Sequence, residues 1–260
     1  MNLSFHSRLT GISWLATAIA LLLVAPGEQA LAQTVLRDLP ERISPDTRYI
    51  IYVHGRIIET EGPEAVSDRF GPYNFRGITE ALSSRGHVVI AEVREPGGLE
   101  YVDTIVGQVR ALRGAGVPAE NITVVGFSKG GYMTLRVARA LRDPDVNYAI
   151  LAGCVAEAIA GEDLSADGLD GRLMSMADSA DDLGFPCTPL FERNTQLSSP
   201  ISIVFHEGSG HGLFYAADPV WLTPLMDWID AGFPFGVADA RRHEHPDDAP
   251  EGHVELEHSN

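Results

Sequence analysis

Between residues 48 and 229 the chain alternates short apolar runs with stretches in which apolar residues recur every three or four positions. The short runs at 48–53, 88–93, 122–127, 148–153, 172–177 and 201–205 predict strands. The stretches at 74–84, 100–113, 130–141 and 220–229 predict helices. Within 100–113, Val102, Ile105, Val106, Val109 and Leu112 share one helical face, and within 130–141 Met133, Val137 and Leu141 do the same. Strands alternating with helices imply an α/β fold whose mostly parallel sheet, of about six strands, is covered by helices on both faces. In such sheets ligands bind beyond the carboxyl ends of the strands.

The ends of the chain break this pattern. Arg8 precedes an apolar run from residue 12 to residue 24, and Ala30-Leu31-Ala32 offers small residues for a signal peptidase. Residues 1–32 are therefore expected to be a signal peptide cleaved before Gln33, and the protein to be secreted or periplasmic, with no membrane insertion remaining after cleavage. Residues 33–239 form the expected folded domain. Residues 240–260 are acidic, carry His243, His245, His253 and His258, and lack apolar periodicity; a disordered tail is expected.

Of the 260 residues 45% are hydrophobic, enough for a core, while the net charge of −17 argues against a nucleic-acid partner. Export changes the meaning of Cys154 and Cys187, the two cysteines of the chain. A single even pair in an oxidising compartment predicts one disulfide.

The candidate chemistry centres on Gly126-Phe127-Ser128-Lys129-Gly130. An apolar run precedes it and an amphipathic stretch follows. In that context Gly-x-Ser-x-Gly predicts a sharp strand-to-helix turn that lifts the serine Oγ clear of the sheet, with glycines where side chains would collide. A serine is a weak nucleophile without a base and an orienting acid. His211, flanked by Gly210 and Gly212 after the last predicted strand, is the expected base; His206, nearer the strand end, is the alternative. The acid is expected after the preceding strand, where Asp178, Asp181 and Asp182 compete and position alone does not choose. An oxyanion hole needs two N–H donors. The backbone N–H of Lys129 and that of Arg56, in the loop after the first of these strands, are expected to supply them, with His54 structural. The charge of Lys129 is expected either to select an anionic substrate or to face solvent.

Together these residues resemble the α/β-hydrolase superfamily, whose Ser, Asp, His order they follow. Gly-His-Gly-Leu-Phe at 210–214 is similar to the histidine loop of dienelactone hydrolase-like and small carboxylesterase members. In that family the acid sits three residues after a glycine that closes the strand; Asp178 occupies that glycine's place, so the resemblance implies Asp181, with Asp178 the alternative. It also implies a serine hydrolase of small-molecule esters, needing no metal or organic cofactor. The short interval between residues 155 and 172 implies the absence of a large cap domain. Peptidase, thioesterase and acyltransferase chemistry use the same residues, and a binding protein on the same scaffold is the competing class. Metal binding through His206, His211 and the aspartates is the weakest alternative, since a spacing of five between the histidines does not put both on one helical face.

Overall fold

The computed structural model describes residues 34–154, 168–194, 197 and 200–231. The expected signal peptide, the tail after residue 239 and most of the interval at 155–171 lie outside these residues. The strands are β1 (Thr34–Leu36), β2 (Tyr49–Val53), β3 (Val66–Ser67), β4 (Gly71–Pro72), β5 (Val88–Ile90), β6 (Ile122–Phe127), β7 (Asn147–Leu151), β8 (Arg172–Asp178) and β9 (Ile201–Phe205). The helices are α1 (Arg56–Glu61), α2 (Phe75–Ser83), α3 (Tyr101–Gly114), α4 (Lys129–Leu141), α5 (Thr188–Arg193) and α6 (Pro219–Ala231).

Seven strands form one sheet in the order β1-β5-β2-β6-β7-β8-β9, and every neighbouring pair is parallel. Strands buried on both faces read as continuous apolar runs, and β2, β6, β7 and β8 are buried at every position. On one face Tyr49, Ile51 and Val53 pack with Ile105, Val109, Met133 and Leu190 from α3, α4 and α5. On the other, Ile50 and Tyr52 pack with Ile58, Ile78, Trp221 and Leu225 from α1, α2 and α6.

Seven strands replace the expected six. The addition is β1, a three-residue edge strand, only partly buried, that pairs with β5. Its length gives no periodicity to read. Two expected strands end early for identifiable reasons. β5 stops at Ile90; a little further on, the N–H of Arg94 is used by the His54 side chain and not by a ladder. β7 stops at Leu151 because Ala152 turns into the left-handed region, φ 46°. The next residue, Gly153, then lies against Gly131 of α4, where an added Cβ would come within 2.5 Å of the Gly131 Cα. Helix α1 and the two-residue hairpin of β3 and β4 were also not expected; each is too short to show a pattern.

Candidate active site

At the carboxyl end of β6 the chain reverses into α4 through Ser128, whose φ of 55° and ψ of −119° no L-residue adopts without strain. The Ser128 N–H donates to the Leu151 carbonyl at 2.8 Å, which fixes the turn to the neighbouring strand. Both flanking glycines are required sterically. A Cβ at Gly126 would lie 2.2 Å from the Gly130 carbonyl oxygen, and one at Gly130 would lie 1.9 Å from that of Val53. The turn thus presses α4 against the end of β2 and leaves Ser128 half-buried at the sheet's edge.

His211 sits in a short 3-10 turn, Gly210–Tyr215, beyond β9. Gly210 enters the turn at φ 56° beside the Ala180 carbonyl, and Gly212 admits the Phe70 ring, which a Cβ would meet at 3.1 Å. The imidazole is held between aromatic neighbours, with ring centroids 4.8 Å from Phe127 and 5.9 Å from Phe70. Its Nε2 lies 2.9 Å from Ser128 Oγ and its Nδ1 2.8 Å from Asp181 Oδ2. The other oxygen of Asp181 accepts the N–H groups of Leu183 and Gly184 at 2.9 and 3.0 Å. The carboxylate is fully enclosed and wholly satisfied. An acceptor on Nδ1 places the proton there, so Nε2 is left to take the hydroxyl proton of Ser128.

The two alternatives do other work. Asp178 spends Oδ1 on the N–H of Ala180 and Oδ2 on that of Glu207, so it shapes the loops on either side of Asp181. His206 is exposed and bonds to the Ser179 hydroxyl at 3.0 Å. Asp182 is on the surface, paired with Arg69, which holds its carboxyl below the usual range.

The turn after β2 lies over the serine. A Cβ at Gly55 would be 3.1 Å from the Phe127 ring and 3.5 Å from Ser128 Cβ. Arg56 and Lys129 each begin a helix, and the N–H groups of a first helical turn have no acceptor within the helix. His54 is buried; its Nδ1 donates to the Gly55 carbonyl at 2.8 Å and its Nε2 accepts the Arg94 N–H at 3.0 Å. Burial, then the Arg94 charge, lowers its pKa to about 3, so the ring is neutral. The Lys129 side chain corrects the expectation. It neither faces solvent freely nor waits for an anion: Nζ donates to Glu59 Oε2 at 2.6 Å and to the Gly97 carbonyl at 2.7 Å. Glu59 Oε1 in turn accepts from Arg94 Nε and Nη2 at 3.0 and 2.6 Å. Neither Glu59 nor Arg94 belongs to a sequence motif. Beyond this pair a cleft of about 360 Å³ is lined by Glu92, Glu95, Glu100 and Tyr101, but neither Ser128 nor His211 borders it.

Of the aromatic residues near the site, Tyr73, Phe75 and Phe214 are buried in the core and Phe70 alone remains partly exposed beside His211. The predicted disulfide is present: Cys154 and Cys187 are joined, with Cα atoms 5.3 Å apart.

A parallel sheet, a strained serine elbow after its central strand, and a histidine and aspartate from the following strand ends define the α/β-hydrolase fold. Solved structures of similar fold include a truncated carbohydrate esterase from gut microbiota, with TM-score 0.52 and 15% identity over 75% of this chain and 88% of that one. An esterase of Pyrococcus furiosus is similar at TM-score 0.52 and 14% identity, over 72% of this chain and 82% of that one. No protein-family model and no curated protein sequence matches the chain.

Proposed function

We propose that the protein is a serine hydrolase that cleaves acyl esters of small molecules through Ser128, His211 and Asp181. The observation that carries this reading is the continuous chain of bonds from Asp181 through His211 to Ser128, at 2.8 and 2.9 Å. In the proposed reaction Ser128 Oγ attacks the ester carbonyl as His211 Nε2 takes its proton. Asp181 holds the imidazole and stabilises the imidazolium. The N–H groups of Arg56 and Lys129 receive the oxyanion. Collapse of the intermediate expels the alcohol, protonated by His211, and leaves an acyl-Ser128. Water, deprotonated by His211, then attacks the acyl group and releases the carboxylic acid. The low-identity neighbours that are themselves esterases favour an ester over an amide or thioester as the bond cleaved.

Intact-mass analysis after exposure to a fluorophosphonate tests this. One adduct is expected on the wild type, none on Ser128→Ala, and labelling of His211→Ala slowed by about a hundredfold or more. A well-folded wild type that takes no adduct would point to the competing binding-protein class.

A further inference from the structure

The oxyanion donors proposed above belong to two segments that do not share a strand or a helix. Arg56 opens α1 and Lys129 opens α4. Besides the direct backbone packing of Gly130 against Val53 and His54, one side chain links them, Glu59, which is all but enclosed. Through Oε2 it takes the ammonium of Lys129, the same residue whose backbone N–H is the proposed oxyanion donor. Through Oε1 it takes Arg94, and Arg94 reaches back with Nη2 to the His54 carbonyl at 2.6 Å and with its backbone N–H to the His54 ring. Lys129 Nζ also holds the Gly97 carbonyl, so the loop after β5 closes the ring of contacts. One carboxylate therefore ties together the turn at 54–56, the start of α4 and the 94–97 loop.

We propose that Glu59 is a positioning residue for the oxyanion hole. It rests on the serine-hydrolase reading. Glu59 and Arg94 touch neither Ser128 nor His211 and transfer no proton. Their pairing sets the separation of the Arg56 and Lys129 N–H groups, and an oxyanion hole loses its effect when a donor is misplaced by a fraction of an ångström. A carboxylate suits the task because it accepts two cations from opposite sides, each as a charge-assisted bond in an enclosed setting.

The test compares wild type with Glu59→Gln, Lys129→Met and Lys129→Arg, using 4-nitrophenyl acetate as the ester. Rates are normalised to serines titrated with fluorophosphonate. Glu59→Gln is expected to lower kcat by about tenfold or more with KM within about twofold. It should weaken inhibition by a trifluoromethyl ketone, whose adduct at serine carries the oxyanion, by the same factor. Lys129→Met, which keeps the backbone N–H, should fall in the same direction, and Lys129→Arg, which keeps the ion pair, should recover most of the rate. Should Glu59→Gln not fold, the two Lys129 variants carry the test. Folded variants with unchanged kcat per titrated serine, or a loss of rate without a matching loss of ketone affinity, would overturn the positioning role. A wild type that labels normally beside such variants leaves the serine-hydrolase reading intact, whereas a wild type that never labels removes both.

Discussion

At the scale of single residues, the serine and the histidine were legible because their constraints are local. Gly126 and Gly130 stand where a side chain would strike backbone at about 2 Å, and that need is written within five residues of sequence. The acid was not legible from position. Asp178, Asp181 and Asp182 lie within five residues at the end of β8, and which of them reaches His211 depends on what takes up the others: the N–H groups of Ala180 and Glu207 for Asp178, the Arg69 guanidinium for Asp182. The structure gives each a different partner, and those partners predict different phenotypes. Asp181→Asn should leave the fold intact and lower kcat about 10⁴-fold, because an amide on Nδ1 favours the wrong tautomer. Asp178→Asn should cost stability, roughly 1–3 kcal/mol, since an amide cannot accept on both sides where Ala180 and Glu207 now donate. Its kcat per folded molecule should change little. Steady-state kinetics beside urea unfolding of both variants checks this; the reverse pattern would make Asp178 the acid. The side chain of Lys129 was illegible for another reason. Its partner Glu59 is 70 residues away in sequence, on a helix too short to carry a pattern.

At the scale of elements, the six expected strands are all present, and the errors fall at their ends. β1, α1 and the β3–β4 hairpin are below the length at which a period of 2 or 3.6 can be recognised. The disulfide is an element-scale device as well. Cys154 follows β7, and Cys187 caps α5 after the loop that carries Asp181. Between them the loop is held by backbone contact: the Phe185 N–H donates to the Cys154 carbonyl at 2.8 Å, and Gly184 lies so close to Ala152 that a Cβ would meet its carbonyl oxygen at 2.2 Å. The bond closes a loop with a sequence separation of 33, for which chain entropy gives about 3–4 kcal/mol. Replacing both cysteines by alanine should lower the melting temperature by roughly 10 °C. It should also slow turnover more than Asp178→Asn does, because the freed segment includes the Leu183 and Gly184 N–H groups that orient Asp181. Calorimetry and kcat of the double variant measure the two effects separately. A variant that melts as wild type does would show that the loop's own packing suffices without the bond.

At the scale of the whole molecule, charge and burial pull stability in opposite directions as the pH falls. The net charge of −17 means that mild acid, by protonating surface carboxylates, relieves self-repulsion. His54 acts the other way. It is enclosed between Gly55 and Arg94, and its pKa of about 3 in the folded chain lies well below its ordinary 6.5. The unfolded chain therefore binds this proton more readily than the folded one does. The stability that the neutral ring contributes is complete above about pH 6.5 and is lost progressively down to about pH 3, with a limiting slope of roughly 1.4 kcal/mol per pH unit. Between pH 7 and pH 5 this single site should remove roughly 2 kcal/mol. His54→Gln keeps a group able to accept the Arg94 N–H and cannot titrate, so the surface contribution is common to both proteins and cancels in their difference. Urea unfolding at pH 7, 6 and 5 is the measurement. The wild type should lose stability relative to His54→Gln as the pH drops, with the gap opening below pH 6.5. Parallel stability curves for the two proteins would mean that acid reaches the ring in the folded state, and that the turn carrying Arg56 is open to solvent.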